Sequence, residues 1–174
     1  MKRKCIDVSF RQNNIVWRGL GCVKERFDNY CLIKSLYENH CTEIPKKKGL
    51  YIVIKPVEIA AVFCEETVAI AKFKGKSMLY DVADLEEKFK RSDQEILYIG
   101  SAINLYKRIK QLIDYGYNGK TGHRGERTLW QMENYKKFKL GLLQCEDPIS
   151  EKKKFLQEYF QVYDVLPVAN RRKG

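Results

Sequence analysis

The run Gly49-Leu50-Tyr51-Ile52-Val53-Ile54 leaves the backbone little choice. Aromatic and β-branched side chains crowd a helix but sit well on a pleated surface, and Pro56 closes the run, so it predicts a strand. Ile96-Leu97-Tyr98-Ile99, ended by Gly100, predicts another, and so does Leu140 to Cys145. Thr67 to Phe73 alternates through Val68, Ala69, Ile70 and Ala71 and closes at a Lys74-Gly75-Lys76 turn, a further predicted strand. Helical spacing of apolar residues is predicted over 28–40 (Cys31, Leu32, Leu36 and Tyr37, opened by Asp28) and over 81–91 (Val82, Leu85 and Phe89, capped by Asp81 or Asp84). It recurs from Ser101 to near Gly116, on Leu105, Ile109, Leu112 and Ile113, and from Ser150 to about Tyr163, on Phe155, Leu156 and Tyr159. Residues 1–27 read as a strand or two, and 117–127, rich in glycine and charge, as a functional loop. The class is α+β, a small sheet flanked by helices.

A chain of 174 residues fits one domain, 1–174. No stretch approaches the roughly 18 apolar residues of a membrane span, and no apolar segment follows Met1-Lys2-Arg3-Lys4 as a secretory signal requires, so the expectation is a cytoplasmic protein with no membrane partner. Thirty-three Lys and Arg against 22 Asp and Glu leave a formal charge of +11. A field of that sign draws polyanions and carries the footprint of nucleic-acid binding, to DNA or RNA. The six cysteines, at 5, 22, 31, 41, 64 and 145, form no C-x-x-C pair, and Cys31, His40 and Cys41 lack zinc-site spacing; free thiols are expected.

Three local patterns occur in order: Gly49-Leu50-Tyr51 opening a strand; Leu97-Tyr98-Ile99-Gly100-Ser101 with Asn104-Leu105 and Arg108 on the helix that follows; and a carboxylate-bearing helix running into Leu166-Pro167-Val168-Ala169-Asn170. Together they resemble the GIY-YIG nuclease family. The block His123-Arg124-Gly125-Glu126-Arg127, with Leu129-Trp130-Gln131, and the Phe73-Lys74-Gly75 turn resemble an uncharacterised bacterial branch of it. The resemblance covers about residues 45–172, with 1–44 as an N-terminal extension and 56–94 as an insertion between the two signatures. It implies a small antiparallel sheet with the signatures on neighbouring strands, and a metal-dependent endonuclease that hydrolyses DNA phosphodiesters.

By that resemblance Tyr51 and Tyr98 activate or position the water, Arg108 neutralises the phosphate, and a glutamate of the last helix holds Mg²⁺ or Mn²⁺. His123 is a candidate acid, base or phosphate contact. Lys74, Arg127 and Asn170 are supporting or phosphate-binding residues. The chemistry is consistent: phosphodiester hydrolysis needs a proton acceptor and positive charge for the developing phosphorane oxygens, and one Mg²⁺ needs little more than a carboxylate, waters and the substrate phosphate. Two departures stand out. Forty-six residues separate Tyr51 from Tyr98, and alignment on Phe155-Leu156 puts Lys152 where the glutamate is expected, leaving Glu151 and Glu158 as metal ligands. A lysine there also motivates the alternative, a catalytically degenerate nucleic-acid-binding or adaptor module on the same scaffold.

Overall fold

The computed structural model describes residues 21–120 and 125–171. Five helices and six strands follow in the order α1 (Gly21–Glu25), β1 (Asp28–Leu32), α2 (Ile33–Glu38), β2 (Gly49–Ile54), β3 (Lys72–Phe73), β4 (Lys76–Ser77), α3 (Val82–Arg91), β5 (Ile96–Ala102), α4 (Leu105–Asn118), β6 (Lys139–Gln144) and α5 (Pro148–Tyr163). The main sheet runs β1-β6-β2-β5, and every neighbouring pair is antiparallel. The α+β class with a small antiparallel sheet is therefore observed.

Strand β2 lies inside the sheet, which explains its unbroken apolar sequence: both its faces are covered. Tyr51 and Val53 enter one core with Leu105, Ile109 and Leu112 of α4 and Leu36 of α2. Leu50 and Ile52 enter the other, with Phe155, Leu156 and Tyr159 of α5. The apolar positions foreseen for α4 and α5 are buried, so the helical period reads out as packing.

Several local expectations are corrected. Asp28 caps no helix: residues 28–32 form β1 on the free edge of β6, and α2 begins only at Ile33. Within residues 1–27, the described part holds a helical turn, Gly21–Glu25, rather than a strand. The alternation from Thr67 does not make a strand up to Lys72. Val68 is 55% exposed, so it has no apolar face to bury, and the segment instead bonds along Trp130, with Val68 N donating to Trp130 O at 3.2 Å. Only Lys72–Phe73 pairs, with Lys76–Ser77, around a turn in which Lys74 and Gly75 both take positive φ. Ser101 is still in β5. Asn104 caps α4, its Oδ1 accepting Lys107 N at 2.9 Å, and Gly119 in the left-handed region ends the helix, past Gly116. Helix α5 starts at Pro148 behind its cap Asp147 and stops at Asp164, three residues before Pro167. Helix α3 is capped by Asp81, one of the two residues foreseen.

The segment between the signature strands lies against residues 126–133. Cys64 N donates to Gln131 O at 2.9 Å, Glu133 N to Val62 O at 2.9 Å, and Phe63 bridges Met132. The cysteines at 31, 41, 64 and 145 are free thiols. No described helix is long and apolar enough to cross a membrane.

Candidate functional site

Antiparallel register fixes where the two signature tyrosines meet. Tyr51 lies opposite Gly100 and Val53 opposite Tyr98, so both phenols project from one face of the sheet on a diagonal. Their ring centroids are 5.7 Å apart. Gly100 makes this possible: a Cβ there would run into the Tyr51 ring and stand 2.6 Å from its hydroxyl oxygen. The glycine of the second signature is thus a seat for the tyrosine of the first. Gly100→Ala should destabilise the fold by roughly 1–3 kcal/mol, the scale of an overpacked core, as read from urea unfolding.

Arg108 comes from the first turn of α4, one position before Ile109 and three after Leu105, both fully buried, so helical geometry brings it to the same core face. The carboxylate that joins these groups is Glu126. It is 1% exposed, precedes the 3₁₀ turn Arg127–Gln131, and accepts a hydrogen bond from Tyr51 Oη. Tyr98, 5% exposed, is also a hydrogen-bonding neighbour of both Glu126 and Tyr51. Lys152 of α5 is near enough for the charges of Glu126 and Arg108 to act on it.

The electrostatics follow from one buried anion between two cations. Burial, and then the Glu126 carboxylate, push Tyr51 well above the ordinary phenol value, with Arg108 opposing. The same causes in the same order raise Tyr98. Burial works against the charge of Arg108, but Tyr51, Glu126 and Tyr98 outweigh it and hold the guanidinium cationic. Burial lowers Lys152, with Glu126 pulling it back up and Arg108 pushing it down. Both phenols are therefore proton donors at neutral pH. A phenol raised on folding contributes stability that is intact below about pH 10, its unfolded value, and is lost as pH rises beyond it. The unfolding free energy of the wild type should accordingly fall more steeply between pH 10 and 11.5 than that of Tyr51→Phe, in urea titrations at each pH.

The other sequence candidates fall elsewhere. Glu151 accepts a hydrogen bond from Lys154 Nζ at 2.7 Å, and the carboxylate that acts most on Tyr51, Tyr98 and Arg108 is Glu126. The charge of Glu158 is felt by Lys154. The carboxylate of this cluster is thus Glu126 rather than either glutamate of the last helix. Lys74 is an exposed turn residue over the Phe73 ring, with Nζ 5.6 Å from its centroid. Arg127 stacks on Tyr80, its guanidinium carbon 4.2 Å from the ring centroid. Asn170 supports the site from below: its Oδ1 accepts Ile99 N and its Nδ2 donates to Ile99 O, both at 2.9 Å, which pins the strand that carries Tyr98 and Gly100. His123 lies outside the described residues.

Two members of the cluster were not foreseen. Glu126 sits within a block read for its histidine, arginine, tryptophan and glutamine, and an acid in a glycine- and charge-rich loop gives no sign of burial. Lys152 did carry a signal, because alignment on Phe155-Leu156 puts it at the position where the glutamate is expected. Among the described residues no group of three or more His, Cys, Asp or Glu side chains gathers to hold a metal ion. Comparison with protein-family models, curated proteins and solved structures finds no match.

Proposed function

We propose that the chain is a GIY-YIG-type endonuclease that hydrolyses phosphodiester bonds in DNA with a divalent cation. The observation that carries this reading is the convergence of two phenols from adjacent antiparallel strands with the guanidinium of the following helix and a buried carboxylate. A net charge of +11 gives such a site a polyanionic substrate to act on.

The residues divide the work by charge. Arg108 and Lys152, the partly exposed members, meet the phosphate and neutralise its oxygens as negative charge develops. A water beside Tyr51 passes its proton to Tyr51 Oη as the phenol's own proton moves along the existing hydrogen bond to Glu126. The water oxygen then bonds to phosphorus, and the bond to the leaving oxygen breaks, that oxygen taking a proton from solvent while Glu126 gives its proton up to solvent and returns to the carboxylate. Tyr98, donating to the same carboxylate, keeps Glu126 oriented.

Glu126 is the residue that would hold Mg²⁺ or Mn²⁺, and the donor set fits such an ion in one circumstance. One carboxylate facing two side-chain cations leaves no net negative charge for a divalent ion, so the phosphate of the substrate has to supply the remaining oxygen ligands and charge. The bound ion would polarise a phosphoryl oxygen.

The decisive experiment is nicking of supercoiled plasmid. Open circles should accumulate with Mg²⁺ or Mn²⁺ and not in EDTA. Binding without scission over a wide metal range sinks the reading and leaves the second one, a DNA-binding or adaptor module. Specific observations favour that alternative too: a lysine, not a glutamate, reaches the cluster from α5, and Tyr51 and Glu126 are 0% and 1% exposed.

A further inference from the structure

Tyr80 follows the short β3–β4 hairpin, and two arginines from distant parts of the chain rest on its ring. The guanidinium carbon of Arg127 is 4.2 Å from the ring centroid and that of Arg171 is 4.0 Å from it. Both guanidinium groups therefore lie within cation–π distance of the one ring.

The ring itself is held by a buried clamp. Gln131, 1% exposed, takes Tyr80 N on its Oε1 at 2.9 Å and gives its Nε2 to Tyr80 O at 2.7 Å. The same Nε2 also reaches Cys64 O at 2.9 Å. This gives the glutamine of the Trp130-Gln131 pair a task outside the tyrosine cluster: it fixes the platform on which the arginines lie.

Nothing in this arrangement compensates the charge. Among the described residues neither Arg127 nor Arg171 is paired with a carboxylate, and Arg127 Nε is buried without a hydrogen-bond partner. A third cation adjoins them. Lys88 Nζ donates to Asn170 O at 2.6 Å and to Val168 O at 3.1 Å, and burial, then the charge of Arg171, push its amine down to about 8.

We infer that Arg127, Tyr80 and Arg171 form a second phosphate-binding station, which grips the backbone of a nucleic-acid strand beside the tyrosine cluster. The chemistry selects the ligand. Two guanidinium groups already lie against Tyr80, and the charge they concentrate there selects an anion over a neutral base. Arg171 is exposed and its guanidinium suits a forked contact with phosphate oxygens, whereas Arg127, whose Nη1 donates to Met78 Sδ at 3.3 Å and whose Nε is buried, adds its charge beside it. Glu126 and Arg127 are consecutive residues, one directed to Tyr51 and the other to Tyr80, so the station adjoins the proposed hydrolytic centre along the chain. The inference goes beyond the proposed hydrolysis and shares with it only the nucleic-acid partner.

The test measures binding of a fluorescein-labelled DNA duplex by polarisation, in EDTA so that no turnover intervenes. The double variant Arg127→Gln/Arg171→Gln should bind about tenfold more weakly at low salt, and its log–log salt dependence should flatten by about 1–2, one for each phosphate that is no longer neutralised. Replacing both arginines with lysine should restore most of the salt slope and less of the affinity. Unchanged affinity and slope in a folded double variant overturn the station. If the double variant does not fold, Arg171→Gln decides alone: Arg171 is exposed, and wild-type binding and slope in that variant overturn it equally. Inorganic phosphate serves as the second probe at matched ionic strength. If it binds the wild type through Arg171 while duplex affinity ignores the substitution, the pocket takes a free ion and the assignment to a strand fails. Because scission is not measured, a protein that never cuts DNA can pass this test, and one that does cut can fail it.

Discussion

Glu126→Gln should lower plasmid nicking by about 100- to 10,000-fold, the usual worth of a proton acceptor in the transition state, while the far-ultraviolet circular dichroism stays that of the wild type. The amide is nearly isosteric, and its oxygen still accepts a hydrogen bond from Tyr51, so the sheet and α4 keep their packing. What disappears is the negative charge, and with it the destination of the proton and the carboxylate for a divalent ion. Nicking at the wild-type rate by this variant would remove Glu126 from the chemistry and return attention to the glutamates of α5. The same substitution separates the two functional readings, since a binding module should keep all of its affinity for DNA and, with one negative charge fewer near Arg108 and Lys152, should gain some.

The second large effect concerns Arg108, where chemistry and stability are coupled. Arg108→Ala should abolish nicking and also destabilise the fold by about 3 kcal/mol, because it strips a cation from a carboxylate that is 1% exposed. A companion substitution distinguishes that cause from poorer packing. In the Arg108→Ala background, Glu126→Gln should recover most of the missing stability without recovering activity, since the stranded charge is gone but the catalytic groups are too. Chemical denaturation of the four proteins of the cycle gives the coupling directly. Independent, additive losses would mean that the two residues do not share one electrostatic site.

These outcomes turn on groups that the sequence revealed unevenly. The strands that carry Tyr51 and Tyr98 were legible because strand chemistry is local: a run of β-branched and aromatic residues closed by proline or glycine has few other uses. The pairing of the two phenols, by contrast, came from the resemblance, and Gly100 marks a place where something comes close. In the fold that something is the Tyr51 ring itself. Arg108 was singled out by the resemblance alone, since an arginine on a helix is by itself more often solvated. Glu126 was not, because burial of an acid in a loop depends on partners 75 positions away along the chain, as the hydrogen bond from Tyr51 is. Residues 28–32 show the same limit. Cys31 and Leu32 fit a helical period with Leu36 and Tyr37, yet the open edge of β6 recruits them as a strand, a tertiary demand that local spacing does not register. The alternation in 67–71 misled for the opposite reason: with Val68 in solvent, the pattern has no buried face to report.

The tie between Asn170 and Ile99 has a consequence for biogenesis. Both polar groups of Ile99 are satisfied by a side chain that is translated 71 residues later, and Leu97 O likewise waits for Ala169 N, at 2.9 Å. Until that stretch has left the ribosome, the outer border of β5 stays open to other strands, and the tyrosine carried on it is not yet seated. The nascent chain is consequently exposed to mispairing along β5 until residues 169 and 170 have emerged.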